Sequence, residues 1–516
     1  MIYGGQEAAV KKLLIIPLFL IILLCGTAVC AADYYVSSSG SDAADGLTSE
    51  TAWRTLEKVN LTEFEPGDSI LLKAGDAWNE SLWVRGSGTE EEPIVIDMYG
   101  SGAKPLINGV SNAAVYLCNQ QYVHICNLEI TNSAEDEDWR YGVYVYGCNA
   151  GALGGIELRN LTVHDVSGKN KGGSQDTHWN GGIVVMARGN EKATRFVGTV
   201  IDGCTVYSVD RTGIVSVSNF STDFDKQISG MSQGLSITNN TVYDISGDGI
   251  IVAGDYGGQV LGNTVFDTNM RQGGANVGIF AIHCTKTTVS ENESYRSHTT
   301  NDGFGYDIDG DCDNVVFERN FSHDNEGGFL LLVNHNNNNA VARYNVSVND
   351  KYQSVAVAAF DNVPESVRSL TAKVYNNTIY CAPSGRHLLI NVSTPNAMPK
   401  KLELYNNIFY INSEGSVLNR NTDYTDKVVM SNNLYYGNGN IGELSETDAD
   451  PVLDDPLFAD IRSGEGRESA EGFAISAGSP CIERGLFVGD NGGYDFAGNL
   501  LKQYGSSDIG AFRYVE

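Results

Sequence analysis

The sequence predicts an all-β chain wound as a solenoid. Three observations carry this: a recurring Asn corner, a Gly-led alternating strand between successive corners, and a composition rich in turn formers. Of 516 residues, 58 are Gly and 26 Tyr but only 11 Pro, which suits many short strands joined by tight turns. Length alone would suggest several domains, but repeat folds escape that prior.

The corner appears in CNLEI, RNLTVHD, NNTVYD, GNTVFD, ENESYR, RNFSHD, YNVSVND, YNNTIY, YNNIFY and NNLYY. Its Asn falls at Asn127, Asn160, Asn240, Asn263, Asn292, Asn320, Asn345, Asn377, Asn407 and Asn433, with Cys204 in its place in GCTVYS. An Asn there has two physical reasons. It tolerates the left-handed backbone of a tight turn, and its amide can bond the amide in the next coil. Asn160, Asn292, Asn320 and Asn345 are also Asn-x-Ser/Thr acceptors, where stacking inside the coil argues against glycosylation.

The Gly-led strand recurs as GVYVYG, GIVVMA, GIVSVS, GIIVAG, GIFAIH, GYDIDG and GFLLLV. Alternation turns its second and fourth residues inward and its third and fifth outward. Stacking coils about 4.8 Å apart then pairs every strand with its equivalents above and below.

The order of parts in each coil resembles the right-handed parallel β-helix of the pectate-lyase-like superfamily. The opening YYVSSSGSDAADGLTSETAWRTLEKVN with FEPGDSILLKAGDAW, and the ending DPLFAD, SAGSPCIERG and SSDIGAFRY, are similar to those of secreted carbohydrate-active β-helix proteins. The resemblance implies the fold over almost the whole mature chain. It leaves activity open, because such proteins include lyases, hydrolases, epimerases and surface proteins.

The expected organisation is a signal peptide at 1–32, an N-terminal cap with the first coils at 33–110, the β-helix at 111–440 and a C-terminal cap at 441–516. Lys11 and Lys12, the apolar run LLIIPLFLIILLCGTAVC and the small residues Cys30, Ala31 and Ala32 form signal-peptide grammar, with a membrane anchor as the rival. The protein is expected to be secreted or at the cell surface, monomeric and off the membrane once the signal is removed. Ser49 or Thr51 is expected to cap a short helix whose Trp53, Leu56 and Val59 close the open end of the solenoid. Eight cysteines follow the leader without zinc or redox spacing and read as small buried residues.

A formal net charge of −30 repels polyanions, which excludes nucleic acid as a partner and leaves a neutral glycan unpenalised. A polyuronate would need a local basic patch or a bridging cation.

Within DGFGYDIDGDCDNVVFERN, the residues Asp307, Asp309, Asp311, Asp313 and Glu318 are spaced like the ligands of an EF-hand loop. Cys312 replaces the glycine such a loop requires, and VVFERN fits the strand before the Asn320 corner. Placing GYDIDG in the repeat points Tyr306 and Ile308 inward and Asp307 and Asp309 outward. The equivalent outward positions are Tyr144 and Tyr146, Val184 and Met186, Val215 and Val217, Ile251 and Ala253, Phe280 and Ile282, and Leu330 and Leu332. Two carboxylates therefore interrupt an apolar face too long to be bare solvent surface, which predicts a groove. The resemblance implies the same place, since active sites of the superfamily usually lie on this sheet between flanking loops.

Outward carboxylates two apart on a strand are separated by roughly 6.5 to 7 Å, near the spacing used in glycoside hydrolysis. Asp307 and Asp309 are the leading catalytic candidates, with Glu326 and Asp324 able to replace either. Further along, Arg188, Asn219, Asp255, Asp311 and Asn334, with His283 and His335, would form a polar rim for sugar hydroxyls. Trp139 and Trp179 would be stacking platforms in loop walls.

These readings predict a secreted glycoside hydrolase acting on a polysaccharide, which requires no cofactor. The first alternative is a uronate lyase, using His283, Arg296, His323 or Arg188 and calcium at Asp309, Asp311 and Asp313. The second is a non-enzymatic glycan-binding or surface protein.

Overall fold

The computed structural model describes residues 31–515 apart from positions 137, 171–174, 190, 219–229, 272–273, 299–300, 361–363, 383–386, 414–425, 440, 442–445 and 463. The expected leader lies, up to Cys30, outside the described residues.

Three long parallel sheets run along the molecule. One has 14 strands from Asp33–Val36 to Val428–Ser431, a second has 11 from Leu82–Trp83 to Leu388–Val392, and a third has 13 from Ala77–Trp78 to Leu434–Tyr436. A fourth, four-stranded sheet widens one corner between Ala152–Gly154 and Asp255–Tyr256. This is the right-handed parallel β-helix that the repeat and the resemblance predict. The 11-stranded sheet, made of the Gly-led strands, is called the groove sheet below.

The leading glycine of each such strand has a steric cause. A Cβ on Gly213 would come within 2.4 Å of the Val242 side chain, and one on Gly249 within 2.3 Å of Val265, so the glycine lets the groove sheet close onto the third sheet. Behind it, Val143, Ile183, Ile214, Ile250, Ile279 and Tyr306 are sealed from water, each Val or Ile contributing about 1.5 to 3 kcal/mol by burial.

One coil departs from the predicted alternation. In GFLLLV, Leu330 pairs with Tyr306 and Leu332 with Ile308, so both face the core, and Leu331 and Val333 face out. The cause is the doublet Gly327–Gly328: Phe304 pairs with Gly328, so Phe329 takes the place that glycine holds in the neighbouring coils.

The Asn corner divides its two expected jobs between neighbours. The left-handed residue is the one before the ladder position, for example Asn239 at φ 55°, Asn376 at 51° and Asn406 at 57°. The next Asn is buried and bonds forward along the stack. Asn240 Nδ2 donates to Asn263 Oδ1 at 2.9 Å, and the same bond repeats through Asn292, Asn320, Asn345, Asn377 and Asn407 to Asn433, whose Nδ2 ends the chain on Asp448 Oδ2 at 2.7 Å. Asn127 and Asn160 do not belong to this ladder. The register of Thr162 with Thr205 and of Thr205 with Thr241 places Leu161 level with Cys204 and Asn240, and Asn160 takes the left-handed position at φ 50°. Asn160 is accordingly exposed, whereas Asn292, Asn320 and Asn345 are sealed in.

At the N-terminal end, the helix Leu56–Asn60 is capped by Thr55, whose side chain accepts from Lys58 N, and not by Ser49 or Thr51. Ser49–Thr51 form a separate 3-10 turn capped by Thr48. Trp53, Leu56 and Val59 are buried as the plug requires. The C-terminal segment runs back along the third sheet: Ala470, Phe473, Phe496 and Phe512 pack on Phe321, Val346, Val348 and Tyr380. Arg343 Nη1 donates to Asp490 O at 2.7 Å and Asn376 Nδ2 to Asp508 O at 2.8 Å. The eight cysteines of the described chain are free thiols, five of them buried.

Candidate active site

One outward row of the groove sheet runs in register through Tyr144, Val184, Val215, Ile251, Phe280, Asp307, Leu331, Ala356 and Asn391. Asp307 thus lies between Phe280 and Leu331 on an apolar floor. Asp309 follows one alternation on, just past the strand end at Ile308. Both line a cleft of about 540 Å³ floored by Val277, Phe280, Phe304, Leu331, Val333 and Ala356 and walled by His178, Trp179, Tyr352, Gln353, Phe360, Asn391 and Ser393. Asp248 and Asp302 open on the same cleft.

The four carboxyls differ in what surrounds them. Asp307 is 5% exposed and its Oδ1 has no hydrogen-bond partner among the described residues. Burial, reinforced by Asp309, Asp302 and Asp248, holds its carboxyl well above the usual carboxylate range. Asp309 is half-buried and accepts from Gly310 N at 2.6 Å. Burial, with Asp302, Asp311 and Asp248 nearby, pushes it up to about 7 against that opposing bond. Asp302, also half-buried, is pushed up to about 6 by burial and by the charge of Asp248.

Asp248 goes the other way. Its burial would raise the carboxyl, but His178, Arg211 and the Val277 N–H outweigh that and keep it below the usual range. His178 Nδ1 lies 2.7 Å and Arg211 Nη1 3.1 Å from Asp248 Oδ2, and Val277 N donates to Oδ1 at 3.0 Å.

The other expected site residues are dispersed. Asp324 is half exposed beyond the third sheet and pairs with His323 at 2.8 Å. Glu326 lies 3.5 Å from His298 and 3.6 Å from Lys351, and neither carboxyl lines the cleft. Asn334 is spent on the scaffold, donating to Met398 O at 2.8 Å and accepting from Leu370 N at 2.9 Å. Asp255 is buried in the small fourth sheet, where burial pushes its carboxyl up to about 7. Arg188 pairs in register with Cys148 several coils from Asp307. Asn219 lies outside the described residues.

His283, Asp311 and His335 gather beyond Asp309. His283 Nδ1 is 3.3 Å and His335 Nδ1 3.9 Å from Asp311 Oδ2, and burial is the main cause that pushes His283 down to about 4. Asp313 pairs instead along the fourth-sheet corner with Thr285 and Asn338. Asp309, Asp311 and Asp313 therefore face different surroundings, and among the described residues no group of three or more His, Cys, Asp or Glu side chains is arranged to hold a metal ion. Of the tryptophans, Trp179 walls the cleft, and Trp139 packs on the outer apolar face without lining it.

Sequence reasoning missed His178, Asp248 and Asp302. A signal for Asp248 was available: it precedes Gly249, at the place that Val277 and Phe304 hold before Gly278 and Gly305, where an acid is out of character.

No family model matches the chain. It is 27% identical, over 93% of its length, to a lacto-N-biosidase from Bifidobacterium longum subsp. longum, of which it spans about a third (36%). It superposes on the crystal structure of a GH136 lacto-N-biosidase from Eubacterium ramulus with a TM-score of 0.61 at 26% identity, covering 72% of this chain and 68% of that one. The complex of XylC with xylose, at TM-score 0.55 and 11% identity over 94% of this chain and 98% of that one, shares the fold.

Proposed function

We propose that the protein is a glycoside hydrolase, secreted or held at the cell surface, that cleaves a neutral glycan in the groove-sheet cleft without a cofactor. The observation that carries this reading is the set of raised carboxyls over an apolar floor. Glycoside hydrolysis needs one carboxyl that keeps its proton and one that has lost it, both in reach of the scissile bond. Asp302 and Asp309 are the half-buried members, pushed up to about 6 and about 7, so near neutral pH the pair tends to hold one proton between them. One protonates the leaving oxygen while the other attacks or activates water. Asp307, deeper and with its protonated form favoured by burial, would offer its O–H to the sugar or to its neighbours.

The names of the two relatives support a lacto-N-bioside as the substrate. The wall also argues against a uronate: among the described residues that line the cleft there is no Lys or Arg to neutralise a substrate carboxylate. A net charge of −30 adds to that repulsion. The protein is taken to act as a monomer, with no nucleic-acid partner.

The test is digestion of 4-nitrophenyl lacto-N-bioside and of a panel of neutral and uronate-containing glycans by wild type and by the Asp302→Asn and Asp309→Asn variants. The expected result is nitrophenol and new reducing ends that vanish in both variants. New ultraviolet absorbance on a uronate polymer would replace this reading with elimination.

A further inference from the structure

The cleft wall holds a second constellation, formed by His178, Asp248, Arg211 and Asn276. The last three come from successive coils, each placed just before a groove-sheet strand: Thr212–Val217, Ile250–Ala253 and Ile279–Ile282. Arg211 Nη1 donates to Asn276 Oδ1 at 2.6 Å and to Asp248 Oδ2 at 3.1 Å, and Nη2 lies 2.8 Å from His178 Nδ1. The Arg211 and Asp248 side chains are 2% and 1% exposed, while that of His178 is 16% exposed and borders the cleft.

Burying a guanidinium and a carboxylate costs several kcal/mol each, which their attraction roughly offsets, so the pair is a poor means of stabilising coils that apolar residues would hold as well. What it does is fix one imidazole. Nδ1 lies within hydrogen-bond distance of both Asp248 and Arg211, so whichever of them sets its proton, Nδ1 is spent and Nε2 is the nitrogen left for the cleft. The ring stands edge-on to Phe280, with centroids 6.4 Å apart and planes at 89°. A pyranose lying with its apolar face on Phe280 would therefore turn a rim hydroxyl toward Nε2.

We infer that His178 is a substrate-binding residue that hydrogen-bonds a sugar hydroxyl through Nε2, and that Asp248 and Arg211 are the positioning residues that hold it there. The inference rests on the glycan reading of the same cleft and names a specificity contact within it. It also accounts for burying an ion pair directly behind the wall.

The experiment compares wild type with His178→Ala, His178→Gln and Asp248→Asn. It measures kcat and KM on 4-nitrophenyl lacto-N-bioside, calorimetric affinity for free lacto-N-biose, and melting temperature. Losing one hydrogen bond to a buried sugar hydroxyl is expected to raise KM and weaken affinity about tenfold in His178→Ala. Gln, whose amide reaches a similar point, should recover part of the loss. Asp248→Asn should show the same rise in KM, which a merely structural role would not produce. KM and affinity within about twofold of wild type in a folded His178→Ala variant would overturn the inference. If wild type binds the sugar but cleaves nothing, the hydrolase reading fails alone and the affinities still decide the role of His178. If wild type neither binds nor cleaves, both fall.

Discussion

The Asn ladder and the cleft carboxyls are both groups of polar side chains on one solenoid, and the fold treats them in opposite ways. In the ladder, Asn320 receives the N–H and the side-chain amide of Asn292 on Oδ1 and gives its own amide to Val289 O and Asn345 Oδ1. Around Asp307, by contrast, a buried carboxyl oxygen is left with no partner among the described residues and three further acids stand close by. Satisfied groups of this kind hold a structure, and unsatisfied ones are a cost that selection tolerates where chemistry needs them. The difference sets Asp307 apart from the ladder, and its place in the cleft sets it apart from Asp255, which also has an unpartnered buried oxygen among the described residues.

The sharpest way to break that contrast is to neutralise the two regions in turn. Asp309→Asn and Asp302→Asn should each lower kcat by about a thousandfold or more, with a melting temperature unchanged or higher because a strained carboxylate has been removed. Asp307→Asn should cost less activity than either, since burial and the neighbouring acids favour the protonated form of the native side chain. A loss in Asp307→Asn equal to that in Asp309→Asn would return the working pair to those two positions. Asn320→Ala should do the reverse. It strips partners from both adjacent coils and leaves the buried Asn292 backbone N–H and one of its two side-chain N–H groups unmet, a loss of about 3 kcal/mol in unfolding free energy, with kcat of the folded fraction preserved.

How much of this was legible in the sequence follows from which signals repeat. The fold could be read because the Gly-led strand and the Asn corner recur in coil after coil, and the outward aim of Asp307 and Asp309 followed from alternation alone. The ladder was misplaced by one residue at Asn127 and Asn160, because the left-handed position before the ladder also favours Asn and the two jobs look alike in one coil. Leu330 and Leu332 were turned the wrong way because a glycine doublet shifts the start of that strand by one. His178, Asp248 and Asp302 were missed for a different reason. They lie in the segments between strands, where no period constrains them, and only the closure of the coils brings them to one cleft. Asp324 and Glu326 seemed equivalent to cleft residues by nearness in sequence, but the intervening corner turns them away.

A gentler test uses proton linkage. The carboxyls of Asp255 and Asp309, near 7, and of Asp302, near 6, are raised above the ordinary value of about 4 that they regain on unfolding. A raised acid binds more protons folded than unfolded, so its favourable share of stability is complete below about pH 4 and is lost as pH rises through 6 to 7. Stability should therefore fall across that window. Asp255 lies away from the cleft, so Asp255→Asn should flatten part of the fall, raising the melting temperature at pH 8 and leaving it near wild type at pH 4, with catalysis intact. Scanning calorimetry at the two pH values reads this directly, and a wild-type curve that rises from pH 4 to pH 8 would contradict it.

The smallest expected effect bears on the boundary of the site. Asp324 and Glu326 are acids of the same coil as the cleft, yet Asp324, itself half exposed, is engaged by the buried His323, and Glu326 by His298 and Lys351 at solvent-accessible positions. Exposed pairs such as those of Glu326 contribute about 0 to 1 kcal/mol. Asp324→Asn and Glu326→Gln should each leave kcat and KM within about twofold of wild type and move the melting temperature by no more than a degree or two. His323 would report the first change separately. Burial opposes its charge, but Asp324 and Glu293 outweigh that and raise the imidazole to about 8, so in Asp324→Asn its titration, followed by NMR, should move to lower pH. A large loss of kcat in either variant would mean that the loops carry these acids into the cleft during turnover, and the line drawn between scaffold and site would have to include the corner after His323.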